Sequence, residues 1–117
     1  MNGYQDKITT NDKKKMEENK NQSGFKDDAG KLLYHLIPTE STKGLAEILT
    51  HGANKYTPDG WKDVPKAKER YTGALMRHFE AYRSGEKLDP ESGLPHIYHV
   101  LTNAAFLGYF DEHNLNP

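Results

Sequence analysis

The chain has 117 residues, no cysteine, and a formal charge of −1 from 16 basic and 17 acidic side chains. Near-neutrality gives no ground for a polyanion or membrane-surface binder, and the lack of cysteine excludes disulfides, thiolate metal sites and cysteine nucleophiles. A mean hydropathy of −0.95 and an apolar fraction of 34% point to one small core, with no run near the roughly 18 apolar residues that a membrane span needs.

Residues 1–24 are rich in Lys, Asn, Glu, Gln and Asp and nearly free of aliphatics. They cannot bury enough surface to offset ordering entropy and read as a disordered polar tail. Lys13, Lys14 and Lys15 form a charge run there that suits solvent as well as phosphate. The tail lacks the apolar stretch of a secretory signal, which together with the missing cysteine fits a reducing cytoplasm. Residues 25–117 read as a single helical domain. It opens with "GFKDDAGKLLYHLIP", a turn cluster followed by Leu32, Leu33, Leu36 and Ile37. That pattern fits a short helix or an extended arm equally well.

The first firm helix is expected over residues 42–55, with Thr39 or Ser41 as cap and Glu40 near its positive end. Leu45, Ile48, Leu49, Gly52 and Ala53 share one face, and Glu47, His51 and Lys55 recur at intervals of four on the other. Residues 57–61, "TPDGW", read as a turn. A second helix is expected over residues 66–84, with Pro65 at its start and Gly85 at its end. Tyr71, Ala74, Leu75, His78 and Tyr82 share its inward face, flanked by Arg70 and Arg77. The third helix is expected from Ser92 or Gly93 to about Glu112. His96, His99 and Asn103 follow at offsets of three and then four residues, and Phe106 and Phe110 continue their stripe. A row polar at one end and aromatic at the other suits an inner wall opening on something polar. No repeat or strand alternation appears, so the fold class is all-α: three main helices plus a short N-terminal arm or helix. Oligomerisation is the simplest way for so small a core to bury more surface.

Three groups of residues carry the chemistry. His78, His96 and His99 are expected on inward faces near Glu80, Glu86, Asp89 and Glu91; imidazoles with carboxylates suit borderline metals, and carboxylates alone suit Mg²⁺. A metal there would serve hydrolysis, by activating water and screening phosphate charge. Each histidine also fits a packed core position. Glu47, His51 and Lys55 offer a base and a phosphate cation, or else a surface charge ladder. Lys26, Lys31, Arg70 and Arg77 can meet phosphate oxygens, and Tyr56, Trp61, Tyr71 and Tyr82 can stack on a base or fill the core. No phosphate-loop glycine pattern or nucleophile elbow is present.

"FKDDAGKLLYHLIP", "LAEILTHGANKY" followed by "GW", "RYTGALMRHFEAYRSGE" and "DPESGLPHIYHVLTNAAFL" occur in this order. Together they resemble the N-terminal domain family named for dATP/dGTP diphosphohydrolases of phages and prophages, over residues 25–110. The resemblance implies a place near the all-α nucleoside triphosphate pyrophosphohydrolases of the MazG type, which hold Mg²⁺ on acidic helices, cleave between the α- and β-phosphates, and assemble as dimers or tetramers. The Glu-Glu-x-x-Glu helix of those enzymes is represented here by Glu47 alone, and their Glu-x-x-Asp only by Glu86 and Asp89 in an expected loop.

The reading that follows is a metal-dependent pyrophosphohydrolase, a homo-oligomer acting on purine deoxynucleoside triphosphates rather than on nucleic-acid polymers or membranes. Glu47, Glu91 and His96 are its expected catalytic residues. Lys31, Lys55, Trp61, Arg70, Arg77, His99 and Asn103 are expected to bind substrate. Glu86, Asp89, Glu91, His78 and His96 are expected to hold a divalent metal, Mg²⁺ or Mn²⁺. The alternative is a non-catalytic phage protein that sequesters a nucleotide signal.

Overall fold

A computed structural model describes residues 26–113, together with Asn11, Lys14 and Gly24. The polar tail, Lys13 and Lys15 included, otherwise lies outside the described residues. Among those described, the chain is all-α: three α-helices, two short 3-10 segments, and no strand. No described helix is long and apolar enough to cross a membrane.

Two units divide at Leu36 and Ile37. In the first, residues 26–36 form an arm with one 3-10 turn, Tyr34–Leu36. The Lys31 N–H donates to the Asp28 carbonyl and the Leu36 N–H to the Leu33 carbonyl, so the arm satisfies part of its backbone by local turns.

The second unit holds helix α1 (Thr39–Lys55), the 3-10 segment Gly60–Asp63, α2 (Ala67–Arg83) and α3 (His96–Glu112). α1 begins three residues earlier than its side-chain signals indicate. Pro38, with φ −59° and ψ 135°, sets the entry, and no side-chain oxygen caps the first turn. α3 starts after Pro95 in the same way. Ser92, expected to cap it, is used elsewhere. α2 starts after Lys66, held in the left-handed region at φ 54°.

α3 packs along α2 and, over a shorter stretch, against α1. Opposite residues show that α2 and α3 run antiparallel: His78 meets His96 and His99, while Tyr71 meets Phe106 and Phe110. Tyr82 lies one turn past His78, where α3 has not yet begun, so it is exposed rather than inward. Trp61 locks one end of the pair. Its ring stacks on Phe106 at 4.4 Å and meets Tyr109 edge-on at 5.0 Å. The Tyr71 hydroxyl donates to the Trp61 carbonyl at 2.6 Å, tying the 3-10 segment to α2.

α1 meets α3 at Gly44. A β-carbon there would lie 2.4 Å from the Tyr98 ring, so only glycine permits this approach. Few residues are wholly enclosed. Ile48, Ala67 and Phe110 are the buried apolar ones, while His96, His99, Thr102 and Asn103 are buried and polar. The interior of α3 is therefore unusually polar for so small a domain. Each buried polar side chain needs a partner, because an unpaired one costs roughly 1–3 kcal/mol.

Candidate functional site

The loop from α2 to α3, residues 84–95, is folded back on itself. Gly85 and Gly93 take φ of 107° and 73°, a region that side chains other than glycine rarely adopt. The Asp89 N–H donates to the Leu94 carbonyl, the Gly93 N–H to the Asp89 carbonyl and the His96 N–H to the Lys87 carbonyl. Leu88 and Pro95 form a single antiparallel bridge. This clasp fixes Glu86, Asp89, Glu91 and Ser92 relative to the first turn of α3.

Ser92 is the organiser of the acidic side. Its N–H and its hydroxyl both donate to Asp89 Oδ2, at 3.0 and 2.8 Å. With its proton given to the carboxylate, Ser92 Oγ accepts from the Leu94 N–H and from His99 Nε2 at 2.8 Å. That assigns the His99 proton to Nε2. Burial raises the Asp89 carboxyl, but the Ser92 hydrogen bonds and the nearby His99 and His78 outweigh it and hold the group below its ordinary value. Burial first, and then the neighbouring imidazole of His78, push His99 down to about 4. His99 is neutral at physiological pH.

The three histidines form one group. The His78 and His99 rings are stacked 4.2 Å apart and 5° from parallel. His78 Nδ1 lies 2.8 Å from His96 Nδ1, and His96 Nε2 lies 2.6 Å from Glu86 Oε1. A carboxylate only accepts, so the His96 proton sits on Nε2 and its Nδ1 carries a lone pair turned toward His78. Burial also lowers His78 below its ordinary range. One atom each from His78, Asp89 and His96 lies within 4.8 Å of the others.

Above this group opens a cavity of about 1170 Å³. Lys55, Arg70 and Arg77 supply positive charge at its walls, and Glu69, Asp89 and Glu91 supply negative charge. Trp61, Tyr56, Tyr71 and Phe106 contribute aromatic surface, and His99, Thr102 and Asn103 bring the polar stripe of α3 into it. Lys55 forms an ion pair with Glu91, joining the end of α1 to the clasp. The pair raises the Lys55 ammonium and lowers the Glu91 carboxyl.

Of the residues expected to catalyse, bind substrate or hold a metal, Lys55, Trp61, Arg70, Arg77, His78, Asp89, Glu91, His99 and Asn103 line this cavity. Glu47, on α1, does not. His96 is buried behind His78 with both ring nitrogens engaged, and Glu86 is its partner rather than a wall residue. Glu91 is tied to Lys55 and stands outside the trio of His78, Asp89 and His96. Lys31 is an exposed residue of the N-terminal unit. Trp61 has one face covered by Phe106, which fixes it as packing as well as wall. Sequence reasoning missed Ser92 as the link between Asp89 and His99. The Asp-x-x-Ser spacing, which lets a carboxylate accept from the N–H three residues on, was its only signal.

A resident Mg²⁺, the ion the resemblance implies, asks for near-octahedral oxygen ligation. His78, Asp89 and His96 offer one carboxylate and two nitrogens, and Glu86 and Glu91 are engaged elsewhere. This donor set does not fit Mg²⁺.

The cavity of this helical domain thus combines cations, acids, imidazoles and aromatic surface. The chain belongs to the family described as dATP/dGTP diphosphohydrolase, N-terminal, whose family model matches residues 21–116. It is 31% identical over 85 residues to a protein of Salmonella phage PMBT28 named dATP/dGTP diphosphohydrolase, a match covering 73% of this chain and 29% of that protein. The chain thus spans under a third of its relative's length. No solved structure matches it.

Proposed function

We propose that this domain binds a purine deoxynucleoside triphosphate and hydrolyses it to monophosphate and pyrophosphate. The observation that carries the reading is the convergence of Lys55, Arg70 and Arg77 with Glu91 around one cavity, in a chain of this family. The volume exceeds the roughly 300–1,000 Å³ typical of small-molecule sites. Guanidinium groups suit phosphate oxygens through paired hydrogen bonds, and Lys55 acts as a point charge. The triphosphate enters as its magnesium complex, so the ion that screens its charge belongs to the substrate.

In this scheme the triphosphate competes with Glu91 for Lys55 and frees the carboxylate. Glu91 then takes a proton from the attacking water as its oxygen bonds to the α-phosphorus. The bond from that phosphorus to the α–β bridging oxygen breaks, and pyrophosphate leaves with the electron pair. Of the three expected catalytic residues, Glu91 keeps the role in this scheme, because it alone of Glu47, Glu91 and His96 faces the cavity.

A second reading is favoured by one fact: the match covers only 29% of the phage relative. The domain then holds the nucleotide, or a related signal, without cleaving it. Incubating the full chain with dATP or dGTP and Mg²⁺ or Mn²⁺, then measuring monophosphate and pyrophosphate, separates the two. The hydrolase reading expects turnover that falls by about 10²–10⁴ in Glu91→Gln, the range of a lost general base, with nucleotide binding retained. Binding of intact nucleotide without turnover supports the second reading. Neither binding nor turnover refutes both.

A further inference from the structure

We propose that His78, His96 and Asp89 form a site for one transition-metal ion of the zinc or iron(II) type, at the cavity floor. The site rests on the trio's own geometry and not on the hydrolase reading. The two Nδ1 atoms are 2.8 Å apart. Two nitrogens bound to one ion at 2.0–2.1 Å stand about 2.9 Å apart when they subtend a right angle. Two imidazoles and one carboxylate are a donor set for zinc or iron, whereas Mg²⁺ and Ca²⁺ prefer oxygen throughout.

Each proposed ligand already has a supporting partner. Glu86 accepts the Nε2 proton of His96 and leaves its Nδ1 without a proton, with the lone pair toward His78, the carboxylate–histidine arrangement that commonly orients a metal ligand. Ser92 fixes Asp89 by two hydrogen bonds to Oδ2, and no described residue donates to Oδ1. His99 stacks flat on His78 and holds its plane. His78 and Asp89 face the cavity while His96 lies behind them. An ion held by these three keeps coordination positions open on the cavity side, as metals that act on a ligand require. Without an ion, His78 Nδ1–H donates to His96 Nδ1. On binding, that proton moves to His78 Nε2 or to solvent.

The test is a Co²⁺ titration of the full chain after chelator treatment, read by visible ligand-field absorption. The expected result is one Co²⁺ per chain, displaced by one equivalent of Zn²⁺ and unaffected by a large excess of Mg²⁺. His78→Ala should abolish the bands. Glu86→Gln should weaken affinity by about 10–100-fold, the usual cost of losing an outer partner. Asp89→Asn guards against a folding defect, because its amide oxygen still accepts from Ser92; with native circular dichroism it too should lose the bands. The absence of bands, their survival in both ligand variants, or equal displacement by Mg²⁺ would overturn the proposal and leave a purely hydrogen-bonded histidine pair. Cobalt binding without dNTP turnover would leave this site standing while the hydrolase reading fell.

Discussion

Gly44→Ala probes the close approach of α1 to α3. The added methyl would sit 2.4 Å from Cγ and Cδ1 of Tyr98 and 2.6 Å from Cε1. The obstacle is the body of a ring, not the far end of a flexible chain. The helices must part or the ring must leave its rotamer, and such overpacking costs about 1–3 kcal/mol. Alanine returns roughly 0.5–1 kcal/mol of helix propensity. The net loss centres on about 1 kcal/mol, which lowers Tm by roughly 4–8 °C in a domain of this size. Gly52→Ala is the control in the same helix, where a methyl meets nothing within 4 Å. It gains the propensity without the clash and should raise Tm. Thermal denaturation followed by circular dichroism reads both, and Tyr98→Leu in the Gly44→Ala background should recover part of the loss. If Gly44→Ala stabilises the chain as Gly52→Ala does, α1 and α3 are not this close.

Two further outcomes follow from the interior. His99 titrates at about 4 in the folded chain against about 6.5 unfolded, so the unfolded state binds more protons between those values. The stability it contributes is complete above about 6.5 and is lost as pH falls toward 4, a change of about 3 kcal/mol at most. Chelator-treated protein should show Tm falling over that window and a His99 NMR titration midpoint near the lower value; a midpoint above 6.5 would contradict the burial described. Trp61→Ala removes the 4.4 Å stack on Phe106 and the edge contact with Tyr109. Because the ring is only half-buried, the loss should fall near the low end of about 3–5 kcal/mol. Guanidinium titration measures it, and a loss below about 1 kcal/mol would show that the aromatic cluster does not hold the 3-10 segment.

The helices were legible because their apolar residues recur at helical spacing, and the His96, His99, Asn103 stripe was legible because polar residues on a buried row need partners. Helix starts were less so. Pro38 and Pro95 set the entries by backbone geometry, a weaker signal in sequence than a Ser or Thr cap. Ser92 looked like a cap because its residue type is right for one, yet a carboxylate three residues before it gave its hydroxyl a stronger partner. Glu47, His51 and Lys55 recur on one face of α1, but only His51 and Lys55 reach the cavity. Spacing places residues on a helix face; it does not say how far along the helix that face meets a neighbour.

The clasp between α2 and α3 has a consequence for variation. Surface loops usually tolerate gained or lost residues. Here the bridge of Leu88 with Pro95 and the bond from the His96 N–H to the Lys87 carbonyl count residues as a ratchet counts teeth. One insertion between Asp89 and Leu94 would turn Glu91 away from Lys55 and Ser92 away from His99 together. Relatives that keep this chemistry should vary in the letters of this stretch, not in its length.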